Sequence, residues 1–329
     1  MIRAFAGNIA FILVIIPLII ATNLTLEYFF NAFNTSDLHI TNLLGVSLTP
    51  TNNWLNASIV LVLLSLNAIL INFTFNSHEF FERNTYLPSL LYIILVGFFP
   101  LSIYVNGELI AQTFAILAIN QVFNIRQNED ARRWMFNTGF FLGLAFLFNP
   151  VYGAFLIVTI AILFTIRPFI LREFALGVIG FTIPIIWLLF YQIESGNDVG
   201  IDTASFIQNH FGENAAYLDF DRLPYWIILS PNLLVIPLLI FSMVLLSKKY
   251  TKSSIRFKRL MQSVLYFVIA AILIAGLMFI TAKSYYYFSV GAVVLPLILP
   301  YGYLEPRSKT VAVTILYLML ALHIIKFIV

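Results

Sequence analysis

The chain has no cysteine. Disulfides, thiolate nucleophiles and Cys-ligated metal centres are therefore excluded. It is also poor in charge: only 10% of its 329 residues are Asp, Glu, Lys or Arg. It has no Walker A loop, no H-E-x-x-H, no G-x-S-x-G and no Cys/His cluster, which argues against P-loop ATP hydrolysis and zinc proteolysis. No Asp, Glu, Lys or Arg falls in the middle of an apolar run, which argues against an ion- or proton-coupled transporter, whose relays need such groups. No A-x-A cleavage site follows the first apolar run, so residues 1–22 read as a retained span rather than a cleaved leader.

What the chain has is apolar sequence. Hydrophobic residues make up 61% and the mean hydropathy is +0.94, far outside the range of soluble proteins. Apolar runs long enough to cross a bilayer recur throughout, so the fold class is all-α, a polytopic transmembrane helical bundle. No polar stretch is long enough to fold alone, and residues 1–329 form a single transmembrane domain. The net charge of +3 is the sum of two opposed faces and implies no nucleic-acid partner.

The stretch from Gly139 to Leu156, GFFLGLAFLFNPVYGAFL, fixes the topology. Taken as one helix, residues 136–166 would reach ~46 Å at 1.5 Å per residue, too long for a ~30 Å hydrocarbon core without a large tilt. Asn149-Pro150 is a turn signal, and Pro150 disfavours the helical conformation at Asn149. Arg126, Arg132 and Arg133 precede the stretch, and Arg167 and Arg172 follow it. Cations that flank spans remain cytoplasmic, so the chain crosses twice and turns over near Asn149.

On this reading the spans cover about 4–22, 55–75, 87–104, 109–125, 136–148, 151–166, 174–193, 223–247, 260–282, 286–304 and 310–329, eleven in all. The N-terminus is inside and the C-terminus outside. The outer loops are 23–54 and 194–222, residues 24–33 are expected along the interface, and Asn106, Gly107 and Glu108 form a tight outer turn. Residues 248–259 are a basic inner loop suited to topology and anionic-lipid contact. Fifteen of the 18 Lys and Arg then lie inside, and nine of the 15 Asp and Glu outside. Making 136–166 a single span would invert everything downstream and place the cluster KKYTKSSIRFKR outside, against the positive-inside bias.

Three segments carry a resemblance. Gly143 to Gly153, GLAFLFNPVYG, resembles a run that joins two short middle spans in the GT-C superfamily of membrane glycosyltransferases. RPFILREFALGVIGFTIPIIWLLFY resembles the basic connector and next span of those enzymes. KSYYYFSVGAVVLPLILP, Lys283 to Pro300, resembles the start of one of their late spans. The chain as a whole also looks like an uncharacterised Bacteroidota family of multi-spanning inner-membrane proteins. The resemblance implies a bacterial inner-membrane protein that transfers or binds a polyprenyl-phosphate-linked sugar at the outer face. GT-C enzymes carry paired acids in a longer first outer loop, whereas the corresponding loop here holds only the isolated Glu27 and Asp37.

Under that resemblance Asp37 and Glu27 are the candidate catalytic carboxylates, as general base or as ligands of a divalent cation. Decoration of an outer loop is the plainer reading of both. Lys283 and Arg222 are the candidate phosphate-binding cations at the outer face, and Tyr285, Tyr286 and Tyr287 could line a sugar or phosphate pocket. Against this stands an aromatic belt with a snorkelling lysine. Asp219 and Asp221 with His210 could form a site lip, and a solvated loop explains them equally simply. The amides Asn67, Asn72, Gln112, Asn120 and Asn137 suit helix–helix adhesion more than substrate binding. No metal site is assigned. A non-enzymatic membrane subunit of an envelope assembly or secretion system, with membrane-protein partners, is the alternative function, and a lipid or glycan transporter is another.

Overall fold

In a computed structural model the described residues are 5, 12–30, 53–98, 105–125, 130–166, 170–194, 225–282, 285–304 and 309–325, and among them there is no β-strand. The long helices are α1 (Ile12–Phe30), α2 (Asn53–Ser77), α3 (Leu87–Gly97), α4 (Gly107–Phe123), α5 (Arg132–Phe148), α6 (Ala154–Ile166), α7 (Leu171–Glu194), α8 (Tyr225–Lys252), α9 (Ile255–Ala282) and α10 (Lys309–Ile325). Among the described residues four helical stretches are long and apolar enough to cross a membrane: Trp54–Ser77, Leu171–Glu194, Leu233–Thr251 and Ile255–Met278. That is the composition and architecture of a helical membrane protein. Large apolar side chains such as Val62, Ile157, Trp187 and Leu277 lie on its outer surface, as a lipid-facing surface requires.

The 136–166 stretch does break. Helix α5 ends at Phe148, Asn149 leaves helical conformation with φ −147° and ψ 108°, and a 3-10 turn, Pro150–Gly153, leads into α6. Pro150 lacks the N–H that a continuing helix would need. Helix α6 then brings the chain back, because α5 and α7 run parallel. Their beginnings are tied where the Ala131 N–H donates to Glu173 Oε1 at 3.2 Å. Further along, Gly139 lies against the Gly177 backbone, and Gly143 against Phe181 and Pro184. A Cβ added at Gly139 would stand 2.0 Å from the Gly177 carbonyl oxygen, and one at Gly180 would stand 2.3 Å from that of Phe136. Only glycine permits this backbone-to-backbone approach, the small-residue seam common between membrane helices.

Hydrogen bonds sort the bundle into two ends. At one end the Val105 N–H donates to Asn56 Oδ1 at 2.9 Å, joining the starts of α2 and α4, and the end of α5 meets the start of α4 through Asn149 and Glu108. At the other end His78 meets Asn120 at 3.0 Å, Tyr86 and Thr85 both donate to the Phe5 carbonyl, and the Tyr301 hydroxyl donates to the Phe80 carbonyl. Lys249 approaches Glu82 at this second end. Helix α10 closes onto α1, with His323 Nε2 2.7 Å from Asn23 Oδ1.

Three segments differ from the expected spans. Helix α1 continues to Phe30 instead of turning along the interface after Thr22. The Thr22 and Thr25 hydroxyls donate to carbonyls three residues back, so these polar residues sit within the helix without interrupting it. Residues 248–259 form no open loop: α8 runs to Lys252 and α9 begins at Ile255, leaving two residues between them. The segment expected as one span at 286–304 is a broken chain of turns, Tyr285–Val290, Gly291–Val294, Leu295–Leu297 and Pro300–Leu304. Pro296 and Pro300 interrupt the helical ladder. The described side chains from Ser289 to Tyr303 are almost all buried. Irregular backbone at membrane depth is tolerated only where protein surrounds it, and this segment meets that condition.

Candidate functional site

The α5–α6 turn and the broken segment meet at one carboxylate. Glu108 is the second residue of α4, whose N-cap Asn106 accepts from the Leu109 N–H at 2.9 Å. A carboxylate in a first turn faces the positive end of the helix dipole. Its side chain is fully buried. Oε1 accepts from the Tyr152 hydroxyl at 2.7 Å, the Ser289 hydroxyl at 2.8 Å and Gln112 Nε2 at 3.0 Å. Oε2 accepts from Asn149 Nδ2 at 2.5 Å.

Each partner is itself held. Asn149 Oδ1 accepts from the Val151 N–H at 3.1 Å, which fixes which way round the amide sits. Pro150 places Asn149 and Tyr152 on the same 3-10 turn, so the residue types that break the long helix also deliver two donors to Glu108. Gln112 lies one helical turn beyond Glu108 on the same face of α4. Its Oε1 accepts from the Tyr92 hydroxyl at 2.7 Å. Tyr92 in turn accepts from Asn67 Nδ2 at 3.1 Å, and Asn67 Oδ1 accepts from the Thr113 hydroxyl at 2.7 Å. The donors run in one direction, from Thr113 through Asn67, Tyr92 and Gln112 to Glu108. The carboxylate is the terminal acceptor of a polar chain joining α2, α3, α4, the Asn149 turn and the Ser289 segment. Buried polar atoms with partners on both sides form a rigid cluster.

The expected site residues fall differently. Asp37, Arg222 and Lys283 lie outside the described residues, as do His210, Asp219 and Asp221. Glu27 is on the last turns of α1. Tyr285, Tyr286 and Tyr287 form the first half of the 3-10 segment that carries Ser289 to Glu108. Asn67 and Gln112, expected as helix adhesives, belong to the cluster, while Asn120 bonds His78 at the opposite end. Among the described residues no group of three or more His, Asp or Glu side chains is placed to hold a metal ion.

Glu108 is the functional candidate that sequence reasoning missed. It stands beside the first apolar residue of a span, where an acid reads as headgroup decoration. Three of its four partners lie 41, 44 and 181 residues away. The available signal was the pair Glu108 and Gln112, which places two polar groups on one face of an apolar helix. Comparison of the chain with models of protein families, with curated proteins and with solved structures returned no match.

Proposed function

We propose that this is a multi-pass bacterial inner-membrane protein that binds a polyprenyl-phosphate-linked sugar at its outer face, with a GT-C-like arrangement of about eleven spans. One observation supports this reading. Two of the segments that resemble GT-C enzymes, FNPVYG and KSYYYFS, lie far apart in the chain, yet Asn149 and Tyr152 from the first and Ser289 from the second bond the same carboxylate. Lys283 lies six residues before Ser289 in the chain. In this reading Glu108 anchors the segment that presents Lys283, Tyr285, Tyr286 and Tyr287 to the lipid phosphate, with Arg222 as a further cation. Sugar transfer would fall to the first-loop carboxylates Asp37 and Glu27, with or without a divalent cation. The buried Glu108, whose two oxygens accept four bonds from protein donors on three segments, also supports a second reading: a non-enzymatic membrane subunit in which the cluster is architectural.

The test is retention of polyprenyl phosphate by native mass spectrometry on purified wild type, Lys283→Gln and Lys326→Gln. A phosphate contact by Lys283 contributes about 1.5–3 kcal/mol, the range for hydrogen bonds to charged groups. Lys283→Gln should then retain roughly ten- to 150-fold less lipid, with Lys326→Gln unchanged. Equal retention in all three would reject the lipid-phosphate reading and leave the subunit reading standing.

A further inference from the structure

The opposite end of the bundle carries a second feature, independent of the proposed outer site. Helices α8 and α9 meet at a corner of two residues, Ser253 and Ser254, with six cations within residues 248–259. Because both helices run up to the corner, these cations stand on regular backbone. They divide by orientation. Lys249 turns inward: its ammonium lies 4.5 Å from the Phe81 ring centroid, 5.6 Å from that of Phe257 and 3.8 Å from Glu82. Lys258 packs over Tyr250 at 5.7 Å. Lys249 pins the corner to the bundle, and Lys258 over Tyr250 joins its two arms. Lys248 and Arg256 are exposed on either side of it.

Two further features mark the corner as facing a partner. The first turn of α9 holds no acid, although acids are what the positive end of a helix dipole favours. Arg256 and Lys258 stand in that turn instead, with Lys248 on the last turns of α8 beside them, so positive charge is concentrated at the corner. Ile255 is 70% exposed between the cations. An apolar side chain flanked by exposed cations is the composition of a segment seated at the headgroup level of a bilayer.

We propose that the α8–α9 corner is a binding site for the phosphate headgroup of an anionic phospholipid, with Lys248 and Arg256 contacting the phosphate and Ile255 entering the acyl boundary. Each cation near an anionic membrane surface contributes about fivefold in affinity, so removing both should weaken binding roughly thirtyfold. The experiment compares retention of phosphatidylglycerol and of phosphatidylcholine with the same acyl chains by the purified full chain. The proteins are wild type, the double variant Lys248→Gln/Arg256→Gln, and a control double variant Arg83→Gln/Arg133→Gln at other exposed cations.

The expected result is a phosphatidylglycerol preference in wild type and control that the corner variant loses. A second arm uses wild type alone, so it decides the matter even where the variant does not fold. Raising salt from about 0.05 M to 0.5 M shortens the screening length severalfold and should abolish the preference, whereas inorganic phosphate at the same ionic strength should displace no more phosphatidylglycerol than chloride does. The proposal is overturned by an unchanged preference in the corner variant, by a salt-independent preference, or by displacement specific to free phosphate, which would assign the corner to a soluble anion. Loss of polyprenyl phosphate on Lys283→Gln leaves all of these outcomes unaffected.

Discussion

Replacing Glu108 by glutamine removes one acceptor from a cluster that has no spare donor orientation, and the consequence follows from the geometry. Glutamine offers one oxygen and one NH2 group. With the oxygen at the Oε1 position, the bonds to Tyr152, Ser289 and Gln112 persist as weaker neutral ones, and the NH2 points at Asn149 Nδ2, 2.5 Å from the original Oε2. Asn149 cannot turn its oxygen inward without giving up the Val151 N–H. With the glutamine reversed, its NH2 faces Gln112 Nε2, and Gln112 cannot turn without breaking the 2.7 Å bond from Tyr92. Either way two donors face each other. A buried unsatisfied donor costs about 1–3 kcal/mol. Relief from burying a charge offsets part of this, so Glu108→Gln should cost ~2 kcal/mol. Glu108→Ala removes four bonds, although Gln112 Nε2 keeps the Ser289 carbonyl at 3.4 Å. At about 0.6 kcal/mol per bond, the mean for membrane helices, that is ~2.5 kcal/mol before any cavity term. Unfolding in mixed micelles at increasing SDS would measure both. The sharper assay is the cycle of Glu108→Gln with Asn149→Ala: deleting Asn149 removes the opposed donor, so the double variant should be ~1–2 kcal/mol more stable than additivity predicts. Wild-type midpoints for Glu108→Gln and Glu108→Ala, or strict additivity in the cycle, would refute the assignment of Glu108 as the organising acceptor.

The α5–α7 seam gives a second prediction. Gly139→Ala and Gly180→Ala should each destabilise by ~2 kcal/mol or more, since the added methyl meets backbone and overpacking typically costs 1–3 kcal/mol. Gly276→Ala, with nothing within 4 Å of the new Cβ, should be neutral or stabilising by up to ~1 kcal/mol, and equal effects at all three positions would sink the close-approach argument. The parallel course of α5 and α7 predicts that single cysteines at Arg133, Arg172 and Thr251, all exposed, react with an impermeant thiol reagent from one and the same side. Labelling of any one from the opposite side would break the topology. If the protein is a working transferase, Asp37→Asn or Glu27→Gln should abolish product while leaving protein in the membrane, and full activity in the double variant would remove the first loop from the mechanism.

Much of the fold could be read from the sequence where one residue dictates local backbone. Pro150 breaks the long apolar run because it has no N–H to donate, and the arginines on either side of the run required a return to the same end. The Ala131–Glu173 bond and the glycine seam put the starts of α5 and α7 together, as those arginines demanded. Reading failed where polarity stood in for conformation. Lys248 and Lys249 suggested a loop, yet lysines at a helix C-terminus are favoured by its dipole, and α8 carries them in regular helix. The run 286–304 read as one regular helix because hydropathy does not register that Pro296 and Pro300 each remove a helical hydrogen bond.

The site was harder to read for a reason specific to membrane bundles. A carboxylate at the lip of an apolar helix has two physically distinct fates with the same local sequence. Facing headgroups, it needs nothing from the rest of the chain. Facing inward, it needs enough donors to replace its water, and those donors come from whichever segments the topology brings alongside. Tyr152 and Asn149 become such donors only because the chain turns at Pro150, and Ser289 only because the prolines that follow keep its segment from forming one straight helix. Neither is a property of the sequence around Glu108. The apolar motifs therefore mattered less for their hydrophobicity than for the few polar atoms they carry. Asn149, Tyr152 and Ser289 supply three of the four bonds that hold one buried carboxyl group in place, and a search for membrane-protein sites gains more from asking which polar groups flank the helix breaks than from asking where the acids lie in the loops.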